Sequence, residues 1–375
     1  MIYKEFQGEQ LSALGLGAMR LPTLEGDPNK IDEKATADMI AYAMEKGINY
    51  YDTAWGYHGG MSEPVMGKLL SAYPRESFKL ASKFPGYDLS NMDKVEEIFE
   101  KQLERCRTDY FDFYMFHNVC ELNIDAYLDK RYGIYDYLMA QRAAGRIRHL
   151  GFSAHANPEN LRRFLEAYGK DMEFGQLQIN YLDWTFQDGK DKIAMLQEYG
   201  IPVWVMEPLR GGKLAGLSGA CAAALSAIRP EESNVALAFR FLQSIPEVKV
   251  TLSGMSNMQQ LQENIATFET NKPLNGMEFE RVLTVAADML KNIVPCTSCR
   301  YCTEYCPQGL DIPRLIKLYN EHAFTGGGFI APMALSRVEE SKRPGACLGC
   351  GACEAVCPQN IKISQVMADF ARRLQ

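Results

Sequence analysis

Residues 14 to 22 read "LGLGAMRLP", and this stretch decides between two ways of arranging alternating strands and helices. A doubly wound sheet that binds a dinucleotide is expected to open with a Gly-x-Gly-x-x-Gly turn leading into a helix. Here the third glycine is missing and Pro22 follows. Working outward, seven more short apolar runs appear: "NYYDTA", "FKLASKF", "FDFYMFH", "RHLGFSA", "FGQLQINY", "PVWVMEP" and "VKVTLSG". Amphipathic segments fall between them. "EKATADMIAYAMEKG" sets Ala35, Met39, Ile40 and Ala43 at helical spacing and stops at Gly47. "MDKVEEIFEKQLERC" repeats the pattern, and Asn157-Pro158 and Asn257 have the chemistry of helix starts. Eight strands alternating with helices is what an α/β fold of the (β/α)8 TIM-barrel type needs. The sequence predicts such a barrel over 1–270, a connecting helix or linker over 271–290, and a small helix-rich, cysteine-rich domain over 291–375. Residues 1 to 12 precede the first barrel strand and are expected to form a hairpin closing its bottom.

Composition sets the class. The chain has 375 residues, 47% of them hydrophobic, and a formal net charge of -7. That content supplies a packed core. The acidic balance, with no basic run, excludes nucleic acid as a main partner. No apolar stretch is long enough to cross a bilayer, so no membrane role is expected. The opening "MIYKEFQGEQ" is too polar for a secretion signal. A cytoplasmic protein is the expectation.

Eight of the eleven cysteines lie in two runs, "CTSCRYCTEYCPQG" at 296–309 and "CLGCGACEAVCPQN" at 347–360. Each is C-x2-C-x2-C-x3-C-P. Zinc sites use two separated ligand pairs, which this spacing does not provide. The run is instead the bacterial ferredoxin signature, in which three thiolates of one loop and the fourth of the other hold a cubane cluster. Two [4Fe-4S] clusters are predicted. Cluster one takes Cys296, Cys299, Cys302 and Cys357; cluster two takes Cys347, Cys350, Cys353 and Cys306. Pro307 and Pro358 are expected to turn the chain after each fourth ligand, and "RLIKLYN" to be a helix between the motifs. Cys106, Cys120 and Cys221 carry no motif and read as buried apolar fillers.

In a barrel of this type the C-terminal ends of the strands line the active site. Asp52 ends the second run, with Tyr57 five residues on; Lys83 ends the third and His117 the fourth. Together they make a proton-delivery site. A tyrosine is a weak acid, and a lysine beside it is expected to lower its pKa. The aspartate holds the lysine, and the histidine orients a carbonyl oxygen while a hydride reaches the carbon.

"NYYDTAWGYHGGMSE", "LASKF", "YMFHN", "GRIRHLGFSAH" and "QENI" resemble the aldo/keto reductases over residues 1 to 270. The resemblance implies Tyr57 as general acid, Lys83 and Asp52 as its tuning pair and His117 as substrate orienter. It implies NADPH or NADH lying extended across the barrel mouth without a Rossmann domain. Ser153 and Gln178 would hold the carboxamide, with Met206 in the place of the residue stacked on the nicotinamide. Gly17, Met19 and Gly254 would line the cofactor, Leu209 and Gly211 of "PLRGGKL" would follow its pyrophosphate, and Glu263 and Asn264 would meet the adenine end. The chain departs from the family at Ala154, where an asparagine is usual. Residues 250–271 contain no Lys or Arg, so a 2'-phosphate lacks charge-assisted partners there. NADPH is therefore predicted not to be strongly preferred, with NADH an accepted reductant.

The combined expectation is an NAD(P)H-dependent oxidoreductase acting on a small carbonyl or alcohol. Its clusters would exchange electrons with an electron-carrier protein. Two other readings stand beside it: the clusters form a structural, sensor or docking module without a part in turnover, or the chain is mainly an iron–sulfur electron carrier.

Overall fold

All eight apolar runs are strands. The computed structural model describes residues 1–375 except Asn292, Thr297, Ser298, Pro358 and the side chain of Tyr301. The turn expected at Pro358 lies outside the described residues. An antiparallel hairpin, β1 (Tyr3–Phe6) and β2 (Glu9–Ser12), comes first. Eight strands follow: β3 (Leu14–Gly17), β4 (Tyr50–Asp52), β5 (Lys79–Phe84), β6 (Phe111–Val119), β7 (Ile147–Ala154), β8 (Phe174–Gln178), β9 (Val203–Met206) and β10 (Val248–Ser253). They pair in parallel and close into a barrel, β10 against β3. Parallel strands are covered on both faces, which is why these segments read as nearly unbroken apolar runs.

The expected helix starts and stops are present. Asn157 and Asn257 each accept a backbone N–H from the first turn of the helices Pro158–Tyr168 and Met258–Phe268, and Asp32, which the sequence did not single out, does the same for Glu33–Glu45. Gly47 has φ +89 after the first of these.

The barrel interior fills from its N-terminal end. Phe6 of the hairpin packs with Tyr50, Phe113, Phe174, Trp204, Val250 and Leu252. Its ring lies edge-on to Trp204 at 5.1 Å and 5.9 Å from Phe113. The hairpin thus closes the bottom, as expected. Gly15 faces the same interior, where a Cβ would come within 2.7 Å of Leu252. With this end packed by rings, the polar residues at the opposite strand ends are left to line a mouth.

The stretch expected at 271–290 as a connection is divided. One compact unit is Met1–Ala286 and the other Ala287–Gln375. Helix Gly276–Met289 buries Val282, Val285 and Ala286. Phe279 stacks on Phe241 at 4.6 Å, and Glu278 pairs with Arg229 at 2.7 Å. Up to Ala286 this segment therefore packs with the barrel unit.

The second unit is two similar halves. The residue after the second cysteine of each motif, Arg300 or Gly351, has positive φ (66 and 73) and starts a short helix, Tyr301–Glu304 or Ala352–Ala355. After the fourth cysteine, Gly309 and Asn360 again have positive φ, and their N–H groups donate to Cys306 O and Cys357 O at 2.8 and 3.0 Å. Pro307 lies in the first of these turns. A longer helix then follows each motif, Ile312–Thr325 and Ile363–Arg373. Leu315, Ile316, Met367 and Phe370 of these helices share one core with Cys302 and Cys353. No helix among the described residues is long and apolar enough to cross a membrane.

Truncating Phe6 to Ala opens a cavity among the barrel rings. It should cost about 3–5 kcal/mol of stability, read from urea denaturation followed by tryptophan fluorescence; a loss below about 1 kcal/mol would show that the hairpin does not seal the barrel.

Candidate functional site

Asp52, Lys83 and His117 lie on adjacent parallel strands, and register brings them to one end. Asp52 pairs with Ala81, and Lys83 with Met115. Side chains alternate along a strand, so the ammonium of Lys83 reaches back across β4. It donates to Asp52 Oδ1 at 2.6 Å, Thr53 O at 2.8 Å and Tyr57 Oη at 3.3 Å. An ammonium has three donors, and all three are used. Lys83 is fully buried and Asp52 is 2% exposed. Tyr57 arrives from the turn after β4. Since its oxygen accepts from Lys83, its own proton remains to be donated.

The charges follow from burial. Burial opposes the charge on Lys83, but Asp52 and Tyr57 together outweigh it and hold the ammonium above its ordinary pKa. Burial raises the Asp52 carboxyl, with Lys83 pulling it down. Burial also raises the Tyr57 phenol, and Lys83 opposes this without reversing it. The expected lowering of the Tyr57 pKa is thus corrected: desolvation of the phenolate exceeds the pull of the ammonium. His117 is held well below its ordinary value by burial, then by Lys83 and His155, so it is a neutral imidazole near pH 7. Its ring lies edge-on to Tyr57 at 6.1 Å and to Tyr87 at 5.1 Å.

A buried polar layer fixes these strands from behind. Glu63 Oε1 accepts from Ser82 Oγ at 2.7 Å and from Gln102 Nε2 at 2.6 Å, and Gln102 Nε2 also reaches Lys83 O at 3.0 Å. His58 ties the neighbouring loop down: its Nε2 accepts from Leu21 N–H at 3.1 Å and its Nδ1 meets Pro28 O at 2.5 Å.

Ser153, Gln178 and Met206 sit at the ends of β7, β8 and β9, on the same side of the barrel as the four residues above. Ser153 Oγ accepts from Asn118 N–H at 2.8 Å, so its own hydroxyl proton is left to donate. Gln178 donates Nε2 to Asp183 at 2.8 Å, and its Oε1 is buried without a hydrogen-bond partner. Met206 takes a 3.7 Å contact from Gln176 Nε2 on its sulfur. His155 is near Gln178, and burial, then Lys192, hold its imidazole down to about 4.

Gly17 and Gly254 are neighbours: a Cβ on Gly17 would lie 3.8 Å from Gly254 N. Gly211 has φ +65. Arg20 joins these glycines. Its side-chain stem lies against Gly254, and its Nη2 would be 3.0 Å from a Cβ at Gly211. Sequence reasoning missed Arg20 because it follows the first barrel strand, far along the chain from residues 250–271, and only folding brings it beside Gly254 and Ser256. Met19 is 55% exposed beside it, and Leu209 is half-buried. At the expected adenine end, Glu263 is exposed and accepts from Gln259, whereas Asn264 is buried and donates to Ser253 Oγ at 3.1 Å. Asn264 is therefore engaged with β10.

The cysteines gather in two sets, each drawn from both motifs. One cavity is lined by Cys296, Cys299, Cys302 and Cys357, the other by Cys306, Cys347, Cys350 and Cys353, and Ile363 borders both. Burial and the neighbouring thiols push Cys302 and Cys353 up to about 11. Among the described residues, no three His, Cys, Asp or Glu side chains form a single-ion site. Of the remaining cysteines, Cys106 and Cys120 are buried, but Cys221 is only partly so, in the helix Gly219–Ser226.

A family model described as the aldo/keto reductase family matches residues 13–286, and one for a 4Fe-4S dicluster domain matches 295–361. The L-galactose dehydrogenase of Arabidopsis thaliana is 26% identical over 76% of this chain and 93% of its own length. The NADH-specific methylglyoxal reductase of Escherichia coli is 27% identical over 55% of this chain and 66% of its own. A probable aldo-keto reductase of Glycine max is 28% identical over 56% of this chain, which spans 59% of that relative. Among solved structures, an aldo-keto reductase of Bacillus halodurans in its holo form superposes with a TM-score of 0.62 at 23% identity, covering 76% of this chain and 96% of that one. One from Klebsiella pneumoniae, in complex with NADPH, reaches 0.58 at 18%, covering 76% and 96%.

Replacing Lys83 by Met strands the Asp52 carboxylate. The variant should lose about 3–5 kcal/mol of stability, and Lys83→Met combined with Asp52→Leu should recover most of it. Equal losses in the single and double variants, by urea denaturation, would show that the pair is not the constraint.

Proposed function

The chain belongs to the aldo/keto reductase family and is an NAD(P)-linked oxidoreductase with an iron–sulfur dicluster domain, and on that premise we propose that it is a cytoplasmic enzyme interconverting a small carbonyl compound and its alcohol. The observation that carries this is the saturated ammonium of Lys83, which leaves the Tyr57 proton free at the barrel mouth.

The residues present fit a nicotinamide dinucleotide. Gln178 offers a buried, unpartnered acceptor and Ser153 a free hydroxyl proton, matching the NH2 and the C=O of a carboxamide. The Gly17, Gly211 and Gly254 notch admits a backbone-hugging diphosphate, with Arg20 as its counter-charge. When bound, the nicotinamide supplies the hydride. His117, neutral at pH 7, donates an N–H to the substrate oxygen and aims it at Tyr57. Tyr57 gives its proton to that oxygen as negative charge develops on it. Lys83 stabilises the phenolate left behind, and Asp52 keeps Lys83 charged and in place. Run in reverse, the same groups take the proton from an alcohol. Arg20 lies against Gly211 and Gly254, and its backbone carbonyl accepts from Ser256 Oγ at 2.9 Å; residues 250–271 themselves carry no Lys or Arg, which supports NADH as an accepted cofactor. The relative from Escherichia coli is by its name NADH-specific.

In the second unit, Cys296, Cys299, Cys302 and Cys357 would ligate one cluster and Cys306, Cys347, Cys350 and Cys353 the other. What supports this is the grouping of the same sets around two cavities. When bound, the clusters supply one-electron storage exchanged with an electron-carrier protein. A second reading is favoured by Cys302 and Cys353 lying in the apolar core: the clusters chiefly hold this unit folded. Anaerobic protein mixed with NADH and examined by EPR separates the two, since a reduced-cluster signal follows from the first reading and none, with carbonyl reduction intact, from the second.

Tyr57→Phe should lower kcat for carbonyl reduction by about 100- to 10,000-fold while NADH binding, measured by fluorescence, stays within about threefold; full activity would remove Tyr57 as the acid. Cys306→Ala should remove the cluster held by 347, 350 and 353 and spare the other, seen as loss of one of two Mössbauer components. Loss of the 296–302 cluster instead would overturn the crossed assignment.

A further inference from the structure

Gln178 is a primary amide, and its two ends are chemically opposite: one donates, the other accepts. Its neighbours decide which end faces the barrel mouth. Asp183, at the start of the short helix Asp183–Phe186, is fully buried. Arg210 grips its carboxylate, with Nε 3.1 Å from both oxygens. Asp183 Oδ2 also accepts from Asn180 Nδ2 at 2.6 Å. The orientation of Asn180 is itself set by backbone, since its Oδ1 accepts from Leu182 N–H and Asp183 N–H at 3.0 and 2.9 Å. A carboxylate so held can only accept. Gln178 must therefore turn its nitrogen toward Asp183, which it does at 2.8 Å. Its Oε1 is left buried, without a hydrogen-bond partner, on a residue 7% exposed.

We propose that Asp183, locked by Arg210, is a positioning residue that makes Gln178 an obligate acceptor, so that the site selects a nicotinamide bearing a carboxamide NH2. This deepens, and rests on, the reading of the barrel mouth as the nicotinamide site. A buried acceptor is costly when unmet. A ring substituent that brings a carbonyl but no N–H leaves Gln178 Oε1 unpaired, and Gln178 cannot turn over without setting its own oxygen against the Asp183 carboxylate. Selectivity of this kind, from a site built to pair with one polar group, is stronger than selectivity from shape.

The test compares dissociation constants, by calorimetry, for NAD+ and for 3-acetylpyridine adenine dinucleotide, in which a methyl replaces the amide NH2. The wild-type protein should bind the analogue roughly tenfold or more weakly. In Asp183→Asn, the new amide accepts or donates, Gln178 is free to turn, and the ratio should fall below about threefold. Gln178→Leu removes the acceptor and should also abolish the discrimination, which keeps the test decisive if Asp183→Asn does not fold. His155 is the other polar neighbour of Gln178 Oε1; His155→Ala takes away that competing donor and should keep the wild-type ratio or raise it, and a fall would overturn the inference. Equal wild-type binding of the two dinucleotides overturns the inference alone, as does a wild-type ratio persisting in Asp183→Asn or Gln178→Leu. A wild-type protein that binds neither overturns the nicotinamide reading and this inference with it.

Discussion

A buried ammonium must have every proton accepted, and the C-terminal end of this barrel is arranged around that requirement. Lys83 is fully enclosed. Its acceptors are a carboxylate from the preceding strand, a backbone carbonyl one residue further, and a phenol from the following turn. Each depends on the register of β4 against β5, since a slip of one residue turns every side chain to the other face. Barrel closure and the ring-packed bottom hold that register. The reach of Tyr57 then follows from the length of one turn, and its free proton from the count of donors on lysine.

Much of this was legible beforehand. Short apolar runs that end in Asp, Lys and His are unusual enough to announce a site, because an unpaired lysine is rarely buried. Eight apolar runs alternating with helical patterns, together with the missing glycine in "LGLGAMRLP", chose the barrel. Other features were hidden because they depend on neighbours distant in sequence. "MEFERVLTVAADM" is amphipathic whichever unit it packs against, and only the Phe279–Phe241 stack places it with the barrel. The sign of the Tyr57 shift needed the depth of burial as well as the presence of Lys83. Arg20 is one more polar residue after a strand until Gly211 and Gly254 are folded beside it. Asp183 carries no motif, and its contacts with Gln178 and Arg210 join residues of separate segments.

The second unit was read chiefly from spacing, and the backbone supplies a reason for that spacing. Positive φ at Arg300 and Gly351 turns each loop after its second cysteine, and positive φ at Gly309 and Asn360 turns it again after the fourth. Glycine takes this conformation freely, whereas Arg300 takes it at a cost. The pattern therefore extends beyond the cysteines to the turn residues and to the helix after each motif. The proposed crossing of the fourth ligand fits such a pair, since each motif packs its third cysteine into the core shared by both helices.

The proton donor is the central claim, and the pH dependence of kcat for carbonyl reduction, with NADH and substrate saturating, tests it most directly. A donor must hold its proton, so the rate falls as pH rises through its pKa. Burial places Tyr57 above its ordinary value, near 10 for a free phenol, and His117 below its own. The account predicts a rate that is level between about pH 6 and 8 and declines only above about pH 10. A decline centred near pH 6.5, the ordinary histidine range, would contradict it and move the proton to another group.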